Sequence, residues 1–142
     1  MRSYLCGGPI CATVKGATKS YVIYLTGALD AEAAAQECAR FDGLAVFETR
    51  EERERVVREI VLRLDEGSLP FEAWIGLSLD GGTWTWDDGV LADDGGRASP
   101  WGADQPNTNA GRAFIRINPA SFDSQLAQAK DDLPRPFICQ RK

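Results

Sequence analysis

The hydrophobic and polar positions in the first half of the chain predict a strand, a helix and a buried segment. Residues 20–25 are rich in β-branched and aromatic side chains, as strands are. Asp30 can cap a helix that runs to about Arg40, and Gly43 can stop it. Residues 44–47 form a short apolar run that is expected to be buried.

A second helix is predicted to begin after Thr49. Thr49 and Glu52 have the spacing of a capping box, in which each side chain accepts a hydrogen bond from the other residue's backbone amide. The apolar residues that follow have a helical period and predict one buried face: Val56, Val57, Ile60, Val61 and Leu64. The pattern ends before Gly67, and the charged residues of this helix are interpreted as its solvated face.

The second half of the chain contains short strand patterns on either side of a long polar segment. Residues 73–77 and 83–86 predict two strands, and residues 113–117 and 136–140 predict the closing strands. Residues 87–111 are rich in Gly, Asp, Asn and Pro and have little periodicity. A segment of that length without regular structure is usually functional or disordered, and the tryptophans around and within it favour order.

Composition limits the chemistry that is available. The 142 residues are enough for one domain, and 44% hydrophobic with 26% charged residues is typical of a globular protein. No window approaches the ~20 apolar residues of a membrane span. The absence of histidine excludes an imidazole base and a His-ligated zinc. A net charge of −5 argues against a nucleic-acid partner, because a phosphate-binding protein needs a basic face.

The four cysteines are Cys6, Cys11, Cys38 and Cys139, and they allow three full pairings. The first two flank a turn-forming Gly-Gly-Pro-Ile segment that could bring them within disulfide reach, and Cys38 would then join Cys139. A zinc site is disfavoured because two of the cysteines stand alone, and free buried thiols in a cytosolic protein are the other alternative. Disulfides would indicate an extracellular or periplasmic location.

Four short motifs follow one another in the second half of the chain. They are Trp-Ile-Gly-Leu at 74–77, Trp-Thr-Trp-Asp-Asp-Gly at 84–89, a tryptophan followed by Gln-Pro-Asn at 101–107, and Pro-Phe-Ile-Cys-Gln at 136–140. In these motifs and in the order of its elements the sequence resembles the C-type lectin-like domain, in a divergent, bacterial-type version of its long form. The resemblance implies an α+β fold, with two helices packed on small antiparallel sheets and a long loop region.

The resemblance covers nearly the whole chain and implies a single domain over residues 1–142. Within that domain it implies an N-terminal hairpin extension at 1–19 and a long loop region at 78–112. The family's second inner disulfide cannot form here, because Phe114 stands near one expected cysteine and the residues around Pro134 contain none. The resemblance also implies two disulfides, Cys6–Cys11 and Cys38–Cys139, in a secreted or cell-surface protein.

A calcium and carbohydrate site is what the resemblance implies for the long loop. Gln105 and Asn107 would offer amide oxygens on one side of the backbone, particularly if Pro106 follows a cis bond. Asp131 and Asp132 would supply the anionic ligands, in line with the preference of calcium for six to eight oxygens. In lectins of this family, adjacent sugar hydroxyls complete the shell of the ion. These four residues are therefore the predicted calcium-binding and carbohydrate-binding residues.

Several departures from the family pattern leave this site open to a second interpretation. The family's Trp-Asn-Asp triplet appears only as Lys130-Asp131-Asp132, and a further acidic ligand falls near Arg112. Two carboxylates and two amides make a site of low charge, and affinity for calcium decreases as carboxylates are lost. The same residues could instead satisfy loop amides through Asx-type hydrogen bonds. The mixed Gln-Pro-Asn triplet does not identify a sugar.

The remaining candidate residues are tryptophans and aspartates. Indole rings can stack on sugars, but the four tryptophans match framework motifs and are predicted to be core or loop-anchoring residues: Trp74, Trp84, Trp86 and Trp101. Two acidic pairs could form a second calcium site or could simply cap turns, and both interpretations stay open: Asp87 with Asp88, and Asp93 with Asp94.

We therefore predict a carbohydrate-binding lectin domain with a glycan partner, in which sugar binding depends on calcium. The alternative is a calcium-independent lectin-like domain that binds protein. An enzyme is disfavoured, since the sequence has no nucleophile motif, phosphate loop or cofactor fingerprint. Asp131 and Asp132 would point to opposite faces of a strand and so could not flank a glycosidic bond. An oligomer is possible, because weak sugar sites gain strength through multivalency.

Overall fold

The computed structural model describes residues 11–64, 70–80, 83–90, 112–129 and 133–142. Within these ranges the chain forms seven strands and two helices. In chain order they are β1 (Cys11–Lys15), β2 (Ser20–Leu29), α1 (Ala31–Cys38), α2 (Arg50–Val61), β3 (Phe71–Asp80), β4 (Thr83–Trp86), β5 (Arg112–Asn118), β6 (Asp123–Ala129) and β7 (Arg135–Arg141).

The described strands form one mixed sheet. Its order is β1-β2-β7-β3-β5-β6, and β4 pairs with β3 off this path. Every pair is antiparallel except β3 and β7, which meet in parallel where Trp74 pairs with Phe137. The predicted α+β fold is confirmed. The strands join one sheet because the last strand, β7, lies between β2 from the first half and β3 from the second.

The two helices cover opposite faces of this sheet. Successive strand residues point to opposite faces, and the buried residues divide accordingly. Tyr21, Ile23 and Ile75 belong to one apolar cluster with the buried stripe of α2. Val22 and Trp74, the alternate positions, belong to a second cluster with α1. The central strands are therefore buried on both faces, which explains why they read as continuous apolar runs rather than as alternating ones.

Both helices begin at the predicted caps. Asp30 accepts a hydrogen bond from the amide of Ala33 at 2.8 Å, and Thr49 Oγ1 accepts one from the amide of Glu52 at 3.0 Å. The second half of the predicted capping box is wrong, because the Glu52 carboxylate turns away from the helix and accepts a hydrogen bond from the Tyr21 hydroxyl at 3.0 Å. Glu52 and Arg53 are buried, so the solvated-face interpretation is wrong for these two residues.

Strand β6 was not predicted from the sequence, and β1 was expected only as part of the hairpin extension that the resemblance implies. The residues of β6, Asp-Ser-Gln-Leu-Ala-Gln-Ala, include no β-branched or aromatic side chain. It forms because each residue from Asp123 to Ala129 pairs with β5, and because Leu126 is fully buried opposite Ile115. Phe122, in the turn between the two strands, has a φ of 60°.

The predicted disulfide between Cys38 and Cys139 is present and joins the end of α1 to β7 across a Cα–Cα distance of 5.1 Å. Cys6 and the side chain of Cys11 lie outside the described residues, so their pairing stays a prediction. In the part of the chain that the structure describes, no helix is long and apolar enough to cross a membrane.

Candidate functional site

The four predicted ligand residues lie outside the described residues: Gln105, Asn107, Asp131 and Asp132. The structure does describe the strand ends from which their segments depart. The long segment leaves the described chain after Val90 and returns at Arg112, the first residue of β5. The shorter segment leaves after Ala129, the last residue of β6, and returns at Leu133.

These strand ends are direct neighbours in the sheet. Arg112 pairs with Ala129, and paired residues on antiparallel strands have Cα atoms about 5 Å apart. Asn107 precedes Arg112 by five residues, and Asp131 follows Ala129 by two. An extended chain spans at most about 3.5 Å for each residue, so both segments begin well within reach of each other.

A tight turn starts the long segment. The amide of Trp86 donates to the carbonyl of Val90 at 2.9 Å, and the amide of Gly89 donates to the carbonyl of Trp86 at 2.8 Å. Gly89 has a φ of 89°, a conformation that side chains with a Cβ rarely adopt. Asp88 Oδ1 accepts a hydrogen bond from the amide of Val90 at 3.1 Å, which is the turn-capping role considered for this residue.

Gly76 lets the start of this turn approach the core. Its amide donates to the carbonyl of Ala45 at 2.7 Å, and its carbonyl accepts from the amide of Asp87 at 2.9 Å. A Cβ at this position would lie 2.9 Å from Asp87 Oδ2 and 3.0 Å from the carbonyl oxygens of Leu44 and Ala45. The Trp-Ile-Gly-Leu motif therefore needs glycine, because three groups already occupy the space beside it.

Asp87 places a carboxylate at the base of the long segment. The residue as a whole is exposed, yet its carboxyl group rests against Gly76, and burial there raises the pKa of Asp87 above its usual range. The positive charge of Arg112 opposes this increase in pKa, and the negative charge of Asp88 adds to it. Arg112 stands near the position of a further acidic ligand in the family pattern. It is within electrostatic range of the Asp87 carboxylate.

The described residues hold no cluster of three or more Asp, Glu, Cys or His side chains that could bind a metal ion. Among the described residues, Asp87 and Asp88 therefore have no third carboxylate with which to form a second calcium site. Asp93 and Asp94 lie outside the described residues.

The sequence matches no protein-family model, and no curated protein matches it. The structure, in contrast, aligns with the C-type lectin domain of murine dendritic cell inhibitory receptor 2 in complex with N-glycan, with a TM-score of 0.68 and 16% identity over 96% of this chain and 98% of that one. The fold is that of a C-type lectin domain.

Two further C-type lectin structures have the same overall fold. The carbohydrate-recognition domain of the mouse scavenger receptor C-type lectin aligns with a TM-score of 0.67 and 22% identity over 96% of each chain. The Ca²⁺-independent C-type lectin SPL-2 from Saxidomus purpuratus aligns with a TM-score of 0.68 and 18% identity over 90% of this chain and 89% of that one. Identities this low show the shared fold, and the predicted long, bacterial-type form stays a prediction.

Within this C-type lectin fold the described tryptophans are framework residues, as predicted. Trp74, Trp84 and Trp86 are 1%, 8% and 2% exposed. The Trp74 indole Nε1 donates to the carbonyl of Leu29 at 2.8 Å, so its polar atom is engaged inside the protein. Trp101 lies outside the described residues.

An arginine missed by the sequence analysis lies between the strands where the second family disulfide is absent. The Arg135 guanidinium carbon is 4.7 Å from the ring centre of Trp74 and 4.4 Å from that of Phe114, and these two rings meet edge to face. Arg135 Nε is 3.7 Å from Glu72 Oε1. The cation fixes the first residue of β7, directly after the segment that carries Asp131 and Asp132. Phe114 in place of a cysteine was the available signal, but its cationic partner could not be identified without the register.

Proposed function

We propose that this C-type lectin fold binds carbohydrate through its long loop. Calcium would be held by Gln105, Asn107, Asp131 and Asp132, which would also contact the sugar hydroxyls. The observation that carries this proposal is the pairing of Arg112 with Ala129, because it starts both ligand segments from adjacent strand ends. The complex of the murine receptor domain with N-glycan supports carbohydrate as the ligand class.

The donor set fits calcium. Two carboxylates and two amide carbonyls supply only oxygen ligands, and sugar hydroxyls and water can complete a shell of six to eight. Asp87, at the base of the loop, lies within electrostatic range of Arg112, whose own charge would repel a divalent ion. With two carboxylates the affinity is expected to be in the weak range of extracellular calcium modules, roughly 10⁻⁴ to 10⁻³ M.

A calcium-independent domain that binds protein is the second candidate function. The low charge of the donor set favours it, since each lost carboxylate weakens calcium binding. The similarity to SPL-2, a Ca²⁺-independent C-type lectin, adds support for a member of this fold that works without the ion. In either case the domain would bind rather than catalyse.

A secreted or cell-surface location fits both functions. The Cys38–Cys139 disulfide supports it, because structural disulfides persist in oxidising compartments. Glycans are displayed in the same compartments. Weak individual sugar contacts would gain strength if several domains were displayed together, so an oligomer is part of this proposal.

Isothermal titration of EDTA-treated protein with calcium tests the proposed function. Binding should release or absorb heat, and at free calcium ten times Kd it should stabilise the fold by about 1.4 kcal/mol. Asn107→Ala and Asp132→Ala should abolish calcium-dependent retention on a sugar column. Asn109→Ala, in the same loop, and Asp123→Ala, at the other end of β6, are the matched controls and should be retained.

The outcomes separate the two candidate functions. If millimolar calcium produces no heat of binding and no thermal stabilisation, the calcium-dependent form of the proposal is contradicted. Retention on the sugar column that persists in EDTA would support calcium-independent sugar binding. If no glycan is retained with or without calcium, the protein-binding alternative is favoured.

A further inference from the structure

An open cavity of about 280 Å³ lies beside the turn between β1 and β2. Its wall includes Ser20, the first residue of β2, and Arg141, the last residue of β7. None of its lining residues belongs to β5 or β6, the strands from which the two ligand segments of the proposed carbohydrate site depart. A ligand in this cavity would therefore use a different set of residues from that site.

The sheet register gathers cations around this cavity. Lys15 pairs with Ser20, and Ser20 pairs with Arg141 on its other side. Directly paired residues on antiparallel strands point to the same face, so Lys15 and Arg141 flank the Ser20 hydroxyl with Cα atoms about 10 Å apart. Lys142 and the hydroxyl of Thr18 complete this part of the wall.

The charges of these side chains are available to a ligand. Within the described part of the chain, Lys15, Arg141 and Lys142 form no side-chain ion pair. Three carboxylates border the cavity, and each is engaged by another group: Asp42 accepts from the backbone amide of Lys142 at 2.7 Å, Glu52 accepts from the amide of Ala17 at 3.2 Å, and Glu48 lies 3.5 Å from Lys19 Nζ. Lys15, Arg141 and Lys142 thus place three cations on one small surface of a protein whose net charge is −5.

Lys19 contributes to the wall but not to the available charge. Its Nζ is buried and donates to the carbonyl of Val46 at 2.7 Å and to Gln140 Oε1 at 2.6 Å. These bonds fix the turn to the interior. The amide of Ala17 donates to Glu52 Oε1 at 3.2 Å, which fixes the turn to α2 as well. The backbone of the cavity wall is thus held in place before any ligand arrives, which lowers the cost of ordering on binding.

We propose that this cavity binds an oxyanion, namely a sulfate or phosphate group. Cations on both sides of a hydroxyl suit a tetrahedral anion, which accepts charge-assisted hydrogen bonds from several directions. The volume is at the lower limit for small-molecule sites, so it suits such a group or an ester no larger than a monosaccharide. The open shape suits an ester group that projects from a sugar as well as the free ion.

Titrations followed by amide NMR of the full chain test this proposal. The probes are inorganic sulfate, inorganic phosphate and galactose 6-sulfate, with galactose as the neutral control, all in EDTA so that the proposed calcium site is silent. The anions should give saturable shifts at the amides of the 15–20 turn, and galactose should give none there. Tighter binding of galactose 6-sulfate than of sulfate would identify the ester as the source, and equal binding would identify the oxyanion alone.

Two double variants with the same change in net charge separate a site from a general charge effect. Lys15→Gln with Arg141→Gln should weaken anion binding at least tenfold. Arg55→Gln with Arg58→Gln, both on the exposed face of α2, should change it less than twofold. Raising the salt concentration from 20 to 200 mM should weaken binding several-fold in the native chain. Equal weakening in both double variants, or no saturable shift in the turn, would overturn the proposal.

Discussion

Glu52 connects three parts of the structure through one carboxylate. It lies in the first turn of α2, yet it accepts hydrogen bonds from the Tyr21 hydroxyl on β2 and from the amide of Ala17 in the turn between β1 and β2. Burial, reinforced by the negative charge of Glu52, raises the pKa of the Tyr21 hydroxyl above its usual value. The phenol therefore remains a protonated donor for Glu52 throughout the neutral range.

Replacing this carboxylate should destabilise the fold. Glu52→Ala leaves the buried Tyr21 hydroxyl without an acceptor, which costs about 1–3 kcal/mol, and removes the partly buried hydrogen bond to the Ala17 amide, which adds about 1 kcal/mol. We expect a loss of about 2–4 kcal/mol in the free energy of unfolding, measured by urea titration. Glu51→Ala, an exposed neighbour in the same helical turn, should stay within about 0.5 kcal/mol of the native value. Similar losses in the two variants would contradict the role assigned to Glu52.

The two residues of the capping box show what sequence can and cannot predict at this scale. Thr49 was predicted correctly because its partner, the amide of Glu52, is three residues away and belongs to the same helix. The carboxylate of Glu52 was assigned to the same local motif. Its actual partners are 35 and 31 residues away, so only the packing of α2 beneath the hairpin brings them together.

Strand β7 is held at its start by the Arg135 side chain, which is only 12% exposed. The guanidinium lies against Trp74 of β3 and Phe114 of β5, the two strands that follow it in the sheet order. A cation between two aromatic rings thus links three neighbouring strands at the place where the family resemblance would put a second disulfide. This contact also fixes the return of the segment that carries Asp131 and Asp132.

Arg135→Gln should therefore cost more stability than the loss of an ion pair alone. Arg116 is the matched control, because its Nε lies 3.7 Å from the same Glu72 side chain, but it is half exposed. Desolvated cation–π contacts contribute about 2 kcal/mol, whereas exposed ion pairs contribute about 0–1. We expect Arg135→Gln to lower the free energy of unfolding by about 1–2 kcal/mol more than Arg116→Gln. Equal losses would show that the aromatic contacts add nothing to the ion pair.

Most elements were predictable because their residues have a strong local preference. Strands β2, β3, β5 and β7 are dense in β-branched and aromatic residues, and both helices have a capping residue at the start. Strand β6 has neither signal. Its conformation comes from its ladder with β5, a tertiary cause that composition does not reveal.

At the scale of the whole molecule, the position of β7 determines how the two halves of the chain meet. β7 lies between β2 and β3, and its Cys139 also pairs with Leu44 from the segment before α2. Sequence motifs could suggest which residue types surround the candidate site, but not that Arg112 and Ala129 are paired. That adjacency depends on a strand, β6, whose sequence gives no indication of it. The ligand residues themselves were inferred from the resemblance and stay a prediction.

Of the two predicted disulfides, Cys38–Cys139 should contribute more to the free energy of unfolding. It closes a loop with a sequence separation of 101 residues. In the chain-entropy account, a loop of that length restricts the unfolded chain by about 4.5 kcal/mol, against roughly 2 kcal/mol for a loop of six residues. Cys38→Ala with Cys139→Ala should therefore lower the free energy of unfolding by about twice as much as Cys6→Ala with Cys11→Ala, measured by urea titration without reductant.

Thiol labelling provides the independent check on this comparison. Unreduced native-sequence protein, unfolded in urea, should expose no reactive thiol if both pairs are closed, and two if only Cys38–Cys139 is. In the second case Cys6→Ala with Cys11→Ala should leave stability nearly unchanged, because no loop is removed. A small loss in the free energy of unfolding of the Cys38→Ala, Cys139→Ala variant would contradict the chain-entropy account of this disulfide. Residual structure in the unfolded chain would then already bring α1 near β7, and the loop would restrict little.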